Sequence, residues 1–192
     1  MIDRDSKELT VGAHENKMGF RLSNTTELIF DNVRVPVENR IGEGLHIALN
    51  ALNLSRAFIS TLGVGIMQRA LDEAMAYGAS AVPAAPHQIP DGSADADMAI
   101  KIEASRCLVN NTMKLMDAGH LVQKEGAITK TFVSDCMQEV TSNAVQIFGG
   151  YGYSKEYPIE KLMRNAKIFR IFEGTNQIQR LTIAKALEKE YK

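Results

Sequence analysis

Residues 123–150 read QKEGAITKTFVSDCMQEVTSNAVQIFGG. Within them Ile128, Phe132, Cys136, Val140, Ala144 and Phe148 recur at four-residue intervals, which places all six on one side of a 3.6-residue helix. Gly149-Gly150 then stops that helix, because two glycines in succession favour turn geometry over continued helix. A long helix with one apolar side must bury it against other elements, and the flanking sequence supplies them.

On the N-terminal side, Met98, Ile102, Cys107, Leu108, Met113 and Met116 carry helical periodicity up to Gly119, a C-terminal cap. Earlier still, Ile47, Leu49, Leu52, Leu54, Phe58, Leu62, Ile66, Ala70 and Leu71 predict one long amphipathic helix, or two stacked ones, from Gly42 to just before Gly78. On the C-terminal side, Pro158 opens a further run. Ile178, Leu181, Ile183 and Leu187 then mark an amphipathic helix over 176–187. Between the first two helical regions, residues 79–95 (ASAVPAAPHQIPDGSAD) hold three prolines and a Pro-Asp-Gly turn, and so read as a loop. Four helices joined by short turns predict a mainly α fold, an antiparallel four-helix bundle. Residues 1–40 differ: Leu9–Val11, Glu27–Phe30 and Val33–Val35 are short β-type runs separated by Gly, Asn and Asp, with Pro36 ending the last. The division is a short β segment over 1–40 and a helical bundle over 41–192, with 79–95 as a divergent loop.

Composition excludes several functions. Net charge is −1 and 45% of residues are apolar, without the basic excess of a nucleic-acid binder. Cys107 and Cys136 stand far apart with no Cys-x-x-Cys or Cys/His cluster, which argues against zinc and a disulfide framework and for buried thiols in a reducing compartment. The start, MIDRDSKELT, is unlike a signal peptide, and no run of 18 apolar residues occurs, so no membrane association is expected. Glu43-x-x-His46 has the spacing of a di-iron ligand pair, but such sites need a second copy and further glutamates. Gly42-x-Gly44 imitates a dinucleotide fingerprint, yet Ile47 stands where the third small residue belongs. The nine methionines read as adaptable core.

Two segments combine glycine with polar groups where helices meet. In Gln146-Ile147-Phe148-Gly149-Gly150-Tyr151-Gly152-Tyr153 the glycines let a ligand such as a phosphate approach the backbone. In Ile171-Phe172-Glu173-Gly174-Thr175-Asn176-Gln177-Ile178-Gln179-Arg180 a carboxylate falls between an apolar run and the mouth of a helix. Partial desolvation there would raise its pKa and suit it to remove a carbon-bound proton. The plainer alternative is that Thr175 caps the helix and Glu173 is a loop residue.

Read together, these segments resemble the acyl-CoA dehydrogenase family, whose C-terminal domain carries Q-x-x-G-G-x-G-(Y/F) followed by (Y/F)-E-G-T-x-x-I-x-R. The intervening SKEYPIEKLMRNAKIFRIF resembles the family's Y-P-x-E-(K/R)-x-x-R-D-x-(K/R), with Asn165 in place of Asp. KMGFRLSNTTELIFDNVRVPVENRIGE resembles the last strands of its middle β-domain and the link into its helical domain. The resemblance implies a flavin-dependent oxidation of acyl-CoA to 2,3-enoyl-CoA, with electrons passed to an electron-transfer flavoprotein. Glu173 would be the base, and its N–H would help polarise the thioester carbonyl. Gln146, Ile147, Phe148, Gly149 and Gly150 would hold the adenosine-diphosphate end of FAD across a subunit interface, in a homotetramer or dimer, and Thr175, Asn176 and Gln177 would also contact FAD. Asn53-Leu54-Ser55-Arg56 resembles a helix motif, commonly D-x-G-R, that borders the acyl-CoA, but Asn53 replaces the Asp, a departure that counts against the assignment; Gly174 would border the substrate too. Some members place the base at the position of Ser55, and the absence of a carboxylate there supports Glu173.

The departures from the family lie in the missing earlier domains and in residues 79–95, where R-x-Q-F-G and P-I-x-x-F-Q-x-x-Q are expected. Codons for residues 85–94, read one base over, can encode Pro-Ile-Arg-Phe-Gln-Thr-Val-Gln, so this stretch is readable as translated out of frame. The alternative to an enzyme is a non-catalytic bundle fragment that keeps only the oligomerisation surface. The expected compartment is the cytoplasm of a bacterium or otherwise the mitochondrial matrix.

Overall fold

The central 26-residue helix, α3 (Gln123–Phe148), is packed by every other helical layer, and the remaining elements are arranged around it. The computed structural model describes residues 1–42, 44–80 and 93–192. Two three-residue strands, β1 (Leu9–Val11) and β2 (Leu28–Phe30), form an antiparallel pair with Thr10 opposite Ile29. They are followed by α1 (Leu45–Ser80), α2 (Ser93–Asp117), α3, α4 (Ile159–Lys167) and α5 (Asn176–Glu190). Single 3-10 turns occupy 149–153 and 168–170. Helices α1, α2, α3 and α5 make the antiparallel bundle that the periodicities predict. α4 and the two 3-10 turns close one side of it.

Several elements differ from expectation for identifiable reasons. The region after Gly42 forms one helix rather than two, and it runs through Gly78 to Ser80. Tyr77 stacks on Phe148 with ring centroids 4.1 Å apart, and this contact outweighs a helix-propensity cost of about 1 kcal/mol for one glycine. The buried side of α1 is Ala57, Val64, Met67, Ala70 and Ala74, whereas Ile47, Leu49, Leu54, Phe58 and Leu62 from the predicted stripe are exposed. This helix carries more apolar residues than α2 and α3 can cover. It is also long and apolar enough to cross a bilayer by length and composition, yet the same helix supplies that core face. Helix already includes positions 79, 80 and 93–95 of the predicted loop, while 81–92, and with them the out-of-frame reading, lie outside the described residues. Val33–Val35 pairs with no strand among the described residues, since β2 ends at Phe30. Cys136 is buried as expected but Cys107 is exposed, because α2 turns Ile102, Ser105 and Val109 inward instead.

The predicted stripe on α3 holds in its second half, where Cys136, Val140, Ala144 and Phe148 are buried. In the first half Phe132 is exposed, and buried positions include Ala127, Thr129, Lys130, Val133, Ser134 and Met137. A helix with neighbours on three sides has no single apolar face. Thr112 of α2 and Thr129 of α3 satisfy each other's buried hydroxyls at 2.8 Å.

The α1–α3 crossing sets the position of everything that follows. A Cβ on Gly63 would stand 2.8 Å from both Met137 Sδ and Val133 Cγ1, and one on Gly126 would stand 3.2 Å from the Asn53 carbonyl oxygen. The helices therefore touch nearly backbone to backbone, which brings the second and third turns of α1 beside the first half of α3. Gly63→Val should destabilise the chain by about 1–3 kcal/mol through overpacking, measured by chemical denaturation. A loss below about 0.5 kcal/mol would mean that the crossing can widen freely.

Candidate functional site

The turn between the 3-10 segment at 168–170 and α5 carries Glu173, and its backbone is unusual. Glu173 has φ +56° and Gly174 φ +84°, two left-handed residues in succession. Glycine adopts that region freely, but for a glutamate it costs on the order of 1 kcal/mol, so the surroundings must hold it there. Thr175 ends the turn by capping α5, its Oγ1 accepting from the Ile178 N–H at 3.3 Å. Capping and a special role for Glu173 are thus compatible rather than alternatives.

The half-buried Glu173 accepts a hydrogen bond from Ser55 Oγ on α1, 2.5 Å from its Oε2. One residue further along α1, Arg56 is buried and donates from Nη1 to Asn53 Oδ1 at 2.9 Å. Burial lowers the Arg56 pKa from its ordinary value, and the Glu173 carboxylate partly opposes that shift. Asn53, which stands where the family motif has Asp, thus still supplies the oxygen that orients Arg56. Asn165 does likewise, its Oδ1 accepting from the Phe20 N–H at 2.7 Å. Phe20 in turn packs edge-on against Phe169 and Phe172, so the β segment buttresses the residue preceding Glu173.

Beneath the turn lies a polar cluster that joins Asn176, Gln179 and Arg180 of the motif stretch to residues of α3 that no motif marks. Lys130 of α3 is 1% exposed, and its Nζ donates to the Gly174 carbonyl and to Asn176 Oδ1, both at 2.8 Å. Fully buried Gln179 donates from Nε2 to the carbonyls of Glu173 at 2.9 Å and Gly174 at 3.0 Å. The Asn176 amide donates to Ser134 Oγ at 2.8 Å and Asp135 Oδ1 at 2.9 Å, and Asp135 pairs with Arg170 and Arg180, each at 2.8 Å. On α3 the sequence signal for this cluster is the polar pair Lys130/Ser134, one helical turn apart.

Burial, reinforced by Arg56, lowers the Lys130 pKa from 10.5 to about 8, while Asp135 and Glu173 act against the shift and Arg170 adds to it. Between those two pH values the unfolded chain holds a proton that the folded chain has released, so this group's contribution to stability rises with pH. Unmutated protein should therefore gain stability relative to Lys130→Met as pH increases from about 8 to about 10.5 in denaturation curves. A difference that stays constant over that window would show that the buried lysine titrates normally.

The other glycine-rich segment lies elsewhere. Lys130 touches the Glu173–Gly174 turn, and Gln146 is sixteen residues further along α3, about 24 Å at 1.5 Å per residue. One copy of the chain does not bring the two together. Gln146 and Gly150 are exposed, and a Cβ on Gly150 would meet nothing within 4 Å, so its backbone is open to a ligand. Ile147 and Phe148 face the core, and any contact from them would come through the main chain. The same holds for Asn176, whose side chain is fully engaged, whereas half-buried Thr175 and exposed Gln177 stand at the mouth of α5. Leu54 is exposed beside Ser55. Among the described residues no cluster of His, Cys, Asp or Glu could hold a metal ion.

The arrangement is matched in known proteins. Residues 42–188 match the family model described as acyl-CoA dehydrogenase, C-terminal domain. The chain is 43% identical to an acyl-CoA dehydrogenase of Bacillus subtilis, over 97% of this chain and 51% of that protein. It is 38% identical to the caffeyl-CoA reductase-Etf complex subunit CarC of Acetobacterium woodii, over 99% and 52%. The structure of butyryl-CoA dehydrogenase from Megasphaera elsdenii superposes with a TM-score of 0.90 at 38% identity, covering 97% of this chain and 50% of that one. The chain thus spans about half the length of these relatives.

Proposed function

This chain belongs to the acyl-CoA dehydrogenase family, and from that premise we propose that it contributes the base-bearing half of a flavin-dependent oxidation of an acyl-CoA thioester to the 2,3-enoyl-CoA. The observation that carries this reading is Glu173, held by Ser55 on a left-handed turn beside the buried cations of Arg56 and Lys130. Glu173 takes the proton from the carbon next to the thioester carbonyl, breaking that C–H bond. Its N–H, with the positive potential of Arg56, stabilises the negative charge that develops on the thioester oxygen. Ser55 fixes the carboxylate while donating to one oxygen, and Leu54 and Gly174 border the acyl chain.

FAD, when bound, supplies the acceptor for the β-hydrogen and its electron pair. The residues present fit it at two surfaces: the mouth of α5 at Thr175–Gln177, and the open backbone of Gly150 beside exposed Gln146. Their separation of about 24 Å along α3 favours a homo-oligomer in which a second copy brings Gln146–Gly150 to the first copy's turn. An electron-transfer flavoprotein as the onward acceptor is supported by the name of the Acetobacterium relative.

Titration of the purified chain with FAD, followed by gel filtration, tests the binding half of this reading. Retained yellow colour, lost on a bulky substitution such as Gly150→Trp, is the expected result. A chain that leaves the column colourless would be a bundle without flavin chemistry.

A further inference from the structure

We propose that Lys130 is the positioning residue of this site: its buried ammonium, bonded to the Gly174 carbonyl and Asn176 Oδ1, holds the Glu173–Gly174 turn in its left-handed conformation and so aims the carboxylate. The proposal rests on Glu173 being the base, but the clamp is measurable without any chemistry. Two left-handed residues in succession, one of them glutamate, are not a conformation the turn adopts unaided. Both turn carbonyls are met by side chains, Gly174 by Lys130 and Gln179 and Glu173 by Gln179.

A lysine is an expensive way to fill a core. Buried at 1% exposure, it is tolerated because its donors meet a carbonyl and an amide oxygen with charge-assisted geometry. The amide of Asn176 cannot turn away, because its nitrogen is fixed on Ser134 and Asp135. Lys130 thereby ties α3 to both sides of the Thr175 cap, the last residue of the turn and the first of α5. A methionine would fill the same space with no donor, so packing and positioning are separable.

Lys130→Met should speed amide exchange of the 171–178 segment tenfold or more, while a segment from the middle of α3, such as 135–145, stays within twofold of the unmutated chain. In Lys130→Ala, propylammonium should restore protection of 171–178 and propanol should not. Unchanged exchange in Lys130→Met would overturn the proposal, leaving lysine as core filler. Should that variant fail to fold, NMR of the unmutated chain decides: a Lys130 Nζ signal coupled across the hydrogen bond to the Gly174 carbonyl carbon supports the clamp, and its absence at low temperature and pH 6 refutes it. In flavin-loaded protein, Lys130→Met should lower the rate of bleaching by acyl-CoA thirtyfold or more while binding of a non-oxidisable acyl-CoA thioether stays within threefold. If the unmutated chain bleaches no flavin, the proposed function fails, and the clamp still stands or falls on exchange and NMR.

Discussion

Glu173→Gln should slow bleaching of bound flavin by butyryl- or octanoyl-CoA about a thousandfold, the contribution usual for a positioned general base. Glutamine has the same size, can adopt the same turn, and keeps an oxygen that can accept the Ser55 hydrogen bond now 2.5 Å long. What it loses is the capacity to take a proton. Folding should therefore be nearly unaffected, and flavin retention with it. Ser55→Ala makes the complementary case: the carboxylate remains but its restraint is lost, and a fall of only about tenfold is expected, the equivalent of one hydrogen bond of roughly 1.4 kcal/mol. Equal losses in the two variants would mean that Ser55 and Glu173 act as one unit.

Phe148→Ala should be the most destabilising single truncation, costing about 3–5 kcal/mol in chemical denaturation. The ring is 3% exposed, stacks on Tyr77 at 4.1 Å and meets Tyr157 edge-on at 5.3 Å, so it ties the end of α3 to two other elements, α1 and the segment before α4. That cost is a large part of the 5–15 kcal/mol by which domains are ordinarily stable. The result also separates two roles in the glycine-rich segment. Gly150→Trp should block flavin with little loss of stability, because the space around it is open. Phe148→Ala should do the reverse.

Much of this architecture could be read from the sequence, because long helices announce themselves by period and end at glycine. α3 stops where Gly149-Gly150 says it should, and Thr175 caps α5 as a threonine before an apolar run should. The failures share a physical origin. Phe58, 55% exposed, reads as core because apolarity reveals that a residue prefers burial without revealing whether a neighbour exists to bury it. Gly78 reads as a helix end because propensity is local, whereas the Tyr77–Phe148 stack that carries the helix past it is tertiary. Glu173, Gly174 and Thr175 stand in a motif, as do Ser55 and Gln179 that bond to the turn, but Lys130 beneath it does not. Lys130 lies 43 residues before Glu173 and Gln179 6 after it, and neither residue type signals burial until the fold supplies its partners. At Asn53 and Asn165, where the family pattern carries Asp, an oxygen acceptor is all that the observed bond requires.

The most direct test of the account is exchange of the α-hydrogens of an acyl-CoA with D2O, followed by mass spectrometry in the presence of the flavin-loaded chain under anaerobic conditions. Proton abstraction by Glu173 predicts deuterium entering at the carbon beside the thioester with the unmutated chain and on the order of a thousandfold more slowly with Glu173→Gln. Equal exchange in the two proteins would show that another group removes the proton and that Glu173 is only a turn residue.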